Sequence, residues 1–448
     1  MRSPDQARRI VESLVERGMA AGATAADALY IGERSAGVQV RLGALDSVSR
    51  SEGEEIGVRL FAGHRSATAA SSDLSDEALA LLVDRCMAMA LEAPEDPYAG
   101  LAPEDRLQRD KLPILDTDDG REPDPAELRA RALEAENAAL AVAGITNSSG
   151  AGASASAAVI ALATSGGFAG AYASTGHGVS AAVVAGEGSS MQRDHAWHSV
   201  RHLGDLEPAG LVGRRAGERA VARLNPARPR PGKYPVLFDP RVAGSLLGHF
   251  AGAISGVAVA RGTSFLQDRL GQPVFAPGVT IIDDPLRPRG LRSRPFDAEG
   301  LVVARRELIA DGVLPGWIAE SASARQLGIA PTGHASRGVS GAPSAAPSNL
   351  YLAGGARSRE DLLAAFPEAV LVIELIGQGA NPVTGDYSRG ATGFMVRNGE
   401  IAEPVSEITI ASNLIDMFET LEPASDLMLR RGIDTPTILV PEMTVASA

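Results

Sequence analysis

Cysteine is almost missing from this sequence: Cys86 is the only one among 448 residues. One thiol forms no internal disulfide, which fits a reducing compartment. Aromatic residues are scarce too, at 4%, so the cores are expected to pack from small aliphatic side chains. No stretch of about 18 apolar residues occurs, which excludes a membrane-spanning helix. The N-terminal MRSPDQARRIVESLVERG is charged throughout and has no apolar h-region, so no secretory signal is read there. A cytoplasmic protein with no membrane partner is expected. Positive charge is in deficit as well, the formal net charge being −13. That disfavours a broad phosphate-binding face, which needs clustered Lys and Arg. The one basic group, Arg223, Arg228, Arg230 and Lys233, is spaced by prolines and reads as a solvated connector, so no nucleic-acid partner is expected. No G-x-S-x-G elbow offers a nucleophilic serine, and no repeat of fixed period is visible.

What remains is an ordinary globular balance, 45% hydrophobic and 22% charged. The length exceeds the about 250–300 residues that one core organises, so two domains are expected. Ser3, Pro4 and Gln6 form a helix start with a capping box, followed by Ala7, Ile10, Val11, Leu14 and Val15 on one face. Val38, Val40 and Leu42, and then Ile56, Val58 and Leu60, alternate with polar or small residues, which predicts antiparallel strands of a half-exposed sheet. A second helix is expected from about Ser75 to Ala93, with Cys86 on its apolar stripe, where a thiol is inert core. A third opens at Asp124-Pro125 with Glu127 closing a box, and another stretch follows Glu207. Residues from about Ile145 to Val184 read as strands broken at Ser165-Gly166-Gly167.

The segment NPARPRPGKYP, residues 225–235, is the boundary candidate, because its prolines oppose a regular helix or central strand. Beyond it, short β-like runs (Val236–Phe238, Val279–Ile282, Leu301–Val303, Leu350–Leu352, Val370–Leu375, Ile408–Ile410) alternate with Gly/Pro turns. One helical segment interrupts them, near Leu246 to Val259. The expectation is an α+β protein: an N-terminal α/β domain with an antiparallel sheet (1–224), a linker (225–235), and a β-rich C-terminal domain with a curled or barrel-like sheet (236–448).

Three places could carry chemistry. His195, His198 and His202 lie close in HAWHSVRH, but a strand running into a loop would point 195 and 198 to opposite faces, which defeats metal binding. Trp197 between them reads as cover for part of the core. His249, in the apolar RVAGSLLGHFAGAISG, reads as a packing histidine. The glycine-rich GQGANPVTGDYSRGATGFMVRNGEI, Gly377 to Ile401, reads as a built loop. It fails as a dinucleotide turn because position 382 is Pro382 and no helix follows. Asn381, Gly385, Asp386, Tyr387, Ser388 and Arg389 form its compact polar set, either an internal hydrogen-bonded brace or the wall of a peptide cleft.

That segment, with GTSFLQDRLG (262–271), VTIIDDPL (279–286), RPFDAEG (294–300), DGVLPGWI (311–318), SARQLG (323–328) and EITIASNLIDMF (407–418), resembles the TldD/PmbA family of gyrase modulators and metalloproteases, within it the PmbA (TldE) branch. The resemblance spans nearly the whole chain. It implies a two-domain fold and assembly with a TldD-type subunit, the pair degrading unfolded peptides and trimming leader peptides. In the TldD branch the matching helix carries an HExxxH zinc motif, completed by a cysteine of the C-terminal half. Here His249 is followed by Phe250, neither Ala253 nor Ile254 is a histidine, and no cysteine follows Cys86. His334 in TGHA departs from the asparagine frequent in the branch. What the resemblance implies is a zinc-less, non-catalytic subunit with no cofactor of its own and zinc in its partner. The alternatives are a regulatory or peptide-binding protein of gyrase-modulator type, or a stand-alone homodimer.

Overall fold

The computed structural model describes residues 1–447. Helix α1 (Pro4–Ala20) begins where the sequence signals it: the Ser3 hydroxyl accepts the Gln6 N–H, and the Gln6 side chain accepts the Ser3 N–H. Strands β1 (Ala25–Arg41), β2 (Ala44–Ala62) and β3 (Arg65–Ser71) then form an antiparallel meander. Helix α2 (Asp76–Glu92) is capped by Ser75, and α3 (Pro125–Leu140) by Asp124. After them come β4 (Ile145–Thr164), β5 (Phe168–Ala185), β6 (Gln192–Val200) and α4 (Ala209–Ala222). The six strands make one antiparallel sheet in the order β3-β2-β1-β4-β5-β6.

Side chains on successive strand residues point to opposite faces, and the two faces of this sheet are buried differently. One face carries Ala28, Tyr30, Val58 and Ala161 under α1 and α2. Farther along, the same sheet packs Val40, Ala153, Val179, Ala181 and Val183 under α3 and α4. Cys86 lies in the first of these cores, its thiol donating to backbone carbonyls of Val58 and Ala67. The other face carries Leu29, Leu162 and Phe168 against Phe296, Leu301 and Val339 of the C-terminal half. There Gly57 is required, since a Cβ would stand 1.7 Å from the Val339 carbonyl oxygen. Asp27, 2% exposed, holds Arg59 from its own sheet at 2.5 Å and Arg337 from the opposite half at 2.6 Å.

The C-terminal half starts with β7 (Gly232–Phe238), α5 (Pro240–Ala253) and α6 (Gly256–Ala260). Short elements follow: β8 (Ile281–Asp283), β9 (Arg306–Ile309), α7 (Ser321–Leu327), β10 (Ala335–Ser336), β11 (Ser344–Ala345), β12 (Leu350–Leu352) and α8 (Arg359–Leu363). The remainder is β13 (Glu368–Ile376), β14 (Asp386–Arg397), β15 (Glu400–Asn413), α9 (Leu414–Thr420), β16 (Glu422–Pro423), β17 (Ile433–Asp434) and β18 (Ile438–Ser447). Strands β15-β14-β13-β7-β18 pair in that order, and β15 also pairs with β18, which closes a five-stranded barrel. A large core gathers Phe238, Val372, Ala391, Ile410 and Val440 from all five strands around Leu246, Leu247 and Phe250 of α5. The α+β class with an antiparallel N-terminal sheet and a curled, barrel-like C-terminal sheet is the one the sequence indicates.

Four local expectations are corrected. The basic connector is neither wholly irregular nor wholly solvated: Gly232–Phe238 is strand, and Arg223 is buried between Asp194 and Glu374. Pro235 sits inside β7, a central barrel strand, opposite the break in register between Val440 and Met443, where its missing N–H costs no ladder bond. The helical run near 246–259 is two helices, because the Gly256 N–H goes to the Ile318 carbonyl at 2.7 Å rather than back along the helix. Leu301–Val303 is not a strand, Leu301 making only an isolated bridge to Leu107. Among the described residues no helix is long and apolar enough to cross a membrane.

Candidate functional site

Helix α5 is positioned by its start and its apolar face. The Asp239 carboxylate accepts the Arg241 N–H, Pro240 fills the first turn, and Leu246, Leu247 and Phe250 sink into the barrel core. That rotation turns His249 sideways, toward the 380–382 loop. Its ring meets Tyr387 edge-on, with centroids 6.0 Å apart. His249, Gly252, Ala253, Thr263, Ala380, Pro382 and Leu414 line a cavity of ≈ 230 Å³. Burial, and secondarily the Arg389 guanidinium, lower the His249 pKa, so the imidazole is neutral. Its Nε2 has no hydrogen-bond partner among the described residues.

A neutral imidazole with a free nitrogen is half of what a metal needs, so the donor set decides. Zinc takes three or four N, S or O donors, with the ring held by a further hydrogen bond. In this cavity the other side-chain heteroatom is the Thr263 hydroxyl, which donates to the Ala258 carbonyl at 3.1 Å. Phe250 is fully buried on another side of the helix, stacked edge-on against Phe275, and Ala253 and the buried Ile254 offer only hydrocarbon. Cys86 is in the other half of the molecule. These residues do not fit a zinc ion.

The glycine-rich segment is largely strand, not loop. Gly377–Gly385 is irregular and Asn398-Gly399 is a tight turn; Asp386–Arg397 between them is β14, paired on both sides. Gly379 and Gly393 are there for clearance, since a Cβ would stand 1.6 Å from the Ser388 oxygen and 1.9 Å from the Leu371 oxygen. The polar set therefore divides. Asn381 accepts the Val383 N–H, Thr384 donates to Asp386, and Asn413 donates to the Thr384 carbonyl and to Asp386, which braces the turn around Gly385. Asp386 and Ser388 face solvent, whereas Tyr387 and Arg389 point inward. The buried Tyr387 hydroxyl has no partner among the described residues, and burial pushes its pKa up to about 12.

Arg389 reaches a second, larger cavity of ≈ 740 Å³, between the two halves of the molecule. Its walls come from β6 (His195, Trp197, His198), α4 (Arg215, Arg219), the start of α5, β13 (Glu374) and the segment 426–435. The three histidines do not converge: His195 is exposed, His198 is buried and accepts the Glu207 N–H, and His202 contacts the Asp116 carbonyl oxygen. Among the described residues no group of three His, Cys, Asp or Glu side chains could hold a metal ion. Trp197 does not cover a core. It is 40% exposed on the cavity wall, with the Arg431 guanidinium 5.4 Å from its ring centroid. The sequence reading missed this cavity's arginines because they come from segments far apart in the chain.

The chain is similar throughout to known proteins. Residues 26–90, 118–224 and 231–447 match domain 1, the central domain and the C-terminal domain of the PmbA/TldA metallopeptidases. It is 37% identical to the metalloprotease PmbA of Escherichia coli O157:H7, covering 98% of this chain and 96% of that one. It is 35% identical to a PmbA homolog of Haemophilus influenzae over the same shares, 98% and 96%. In fold it resembles TldE of Thermococcus kodakarensis, with a TM-score of 0.87 at 20% identity, covering 98% and 100% of the two chains. It also resembles a candidate DNA-gyrase modulator of Bacteroides thetaiotaomicron, with a TM-score of 0.90 at 24% identity, covering 99% of each chain.

Proposed function

The chain belongs to the PmbA/TldD metallopeptidase family, and on that premise we propose that it is the zinc-less subunit of a two-component peptidase. In this reading hydrolysis takes place on the zinc of a TldD-type partner in the cytoplasm, and the substrates are unfolded or leader peptides. The observation that carries it is the donor set at the end of α5: His249 stands alone, Phe250 is committed to the barrel core, and the buried Ile254, five residues beyond His249, has no donor atom. The TldD branch needs histidine, glutamate and histidine at those places.

A subunit without the metal still has physical work to do. Its sheets and cavities can hold an extended peptide beside the partner's metal and keep folded proteins away from it. Arg389 is the residue of the glycine-rich segment best placed for peptide contact, because it opens into the larger cavity. Asn381, Gly385 and Asp386 maintain the turn, and Ser388 lies on the outer surface.

The test is to purify this chain alone and with an HExxxH-bearing paralogue, and to follow cleavage of an unfolded peptide with and without a chelator. Chelator-sensitive cleavage confined to the mixture is expected. Cleavage by this chain alone would overturn the reading, and so would a mixture that neither associates nor cleaves.

A further inference from the structure

The cavity between the halves has a charge opposite to that of the molecule. Seven arginines and four carboxylates line it, in a chain whose net charge is −13. Several of the arginines are satisfied. Arg241 pairs with the buried Asp194 at 2.9 Å, Arg215 and Arg430 share Glu207 at 3.0 and 2.9 Å, and Arg359 meets Asp239 at 3.3 Å. The carboxylates are occupied too: Asp434 accepts three backbone N–H groups, and Asp426 accepts the Thr437 hydroxyl and N–H.

Three guanidiniums have no carboxylate: Arg431 donates to the Pro240 carbonyl at 2.8 Å and lies over the Trp197 ring, which leaves Arg219 and Arg389. Arg219 donates only to the His195 carbonyl, at 3.2 Å, and no carboxylate of the described residues lies within ion-pair distance of it. The Arg389 side chain has no ion pair or hydrogen bond among the described residues, and its Nε is buried without a partner. Burial and the neighbouring Arg241 push the Arg219 pKa down to about 10, as expected of a cation short of an anion. Beside these groups the wall is apolar, with Trp197 and Met428 exposed at 40% and 57%. Guanidinium forks bind planar carboxylates two bonds at a time, and aromatic and thioether groups accept apolar side chains. A bare polyanion would leave that apolar wall unused.

We propose that this cavity is a binding site for an acidic peptide segment, its carboxylates seated on Arg219 and Arg389 and an adjacent apolar side chain on Trp197 and Met428. The choice of a peptide rests on the peptidase-subunit reading; the anion site itself rests on the unpaired arginines.

The experiment uses the full chain without any partner. A fluorescein-labelled decapeptide alternating glutamate with leucine is titrated by anisotropy at low salt, against the same peptide with glutamine for glutamate and against inorganic tripolyphosphate as competitor. The glutamate peptide is expected to bind at least about tenfold tighter than the glutamine peptide, and to weaken as salt is raised. Arg219→Gln and Arg389→Gln, in two separate structural elements, are each expected to weaken it about tenfold, with thermal unfolding confirming that both variants are folded. Equal binding of the two peptides overturns the proposal, as does unchanged affinity in both folded variants. Tripolyphosphate binding with no glutamate-peptide binding overturns it in favour of a phosphate site. Partner-dependent cleavage with no acidic preference would sink this inference and leave the subunit reading standing; acidic-peptide binding without such cleavage would do the reverse.

Discussion

Replacing Asp27 by asparagine should loosen the join between the two halves. The Asp27 carboxylate is buried between Arg59, which donates from Nε and Nη2 at 2.9 and 2.5 Å, and Arg337 at 2.6 Å. Asparagine keeps the shape and removes the charge, leaving two guanidiniums buried without a carboxylate. Breaking a buried ion pair from one side costs about 3–5 kcal/mol. With about 2.1 cal/mol/K of unfolding entropy per residue, 448 residues give about 0.9 kcal/mol per degree. Asp27→Asn should therefore lower the melting temperature by about 3–5 °C in scanning calorimetry at neutral pH. The effect should also depend on pH. Burial alone would raise the Asp27 carboxyl, but Arg337 and Arg59 outweigh it and hold the pKa below the ordinary value. The folded state thus takes up this proton less readily than the unfolded one. The stabilisation is full above the unfolded pKa of about 3.9 and fades as pH falls through the lower folded value. Wild type and variant should converge in acid. A variant melting within about 1 °C of wild type at pH 7 would refute the assignment of that join to this triad.

Two further outcomes follow from buried groups. Burial and the adjacent Asp297 charge push Glu299 up to about 7. Because the folded state holds this proton longer than the unfolded chain, stability should decline as pH rises from about 4.5 through about 7. Glu299→Gln should flatten that decline by an amount on the order of 3 kcal/mol across the window, read as melting temperature against pH, and an unchanged slope would disprove it. Tyr387→Phe removes a buried hydroxyl that has no partner among the described residues, so it should be neutral or stabilising by up to about 1 kcal/mol. A loss of more than about 1 kcal/mol in denaturant unfolding would mean the hydroxyl is bonded in solution.

Much of the fold was legible because its signals are local. Ser3, Ser75 and Asp124 each cap the helix that follows, and the alternation at Val38–Val40 and Ile56–Leu60 marks β1 and β2, which pair with each other, while Leu42, expected to continue the first, is an exposed turn residue. The glycine-rich segment misled for a physical reason. Glycine usually marks a turn, but Gly393 is a strand residue made small by the Leu371 carbonyl across the ladder. Pro235 misled in the same way, because the gap in β18 pairing that tolerates it lies some two hundred positions away. The cavity between the halves was invisible for the same cause: Arg219, Arg389 and Arg431 look like ordinary surface charges until the fold assembles them.

Closure of the barrel also sets an order of events. Phe238 in β7 pairs with Ile438 in β18, so the ring cannot shut until almost the whole C-terminal half has been made. Until then β7 and β15 each lack one neighbour, and both are open to strands of other chains. The N-terminal sheet has no such wait, since its six strands are all present by Val200. During synthesis the first half can therefore be finished while the second is still adhesive, and shortening β18 should show itself as aggregation before it shows as a lost activity.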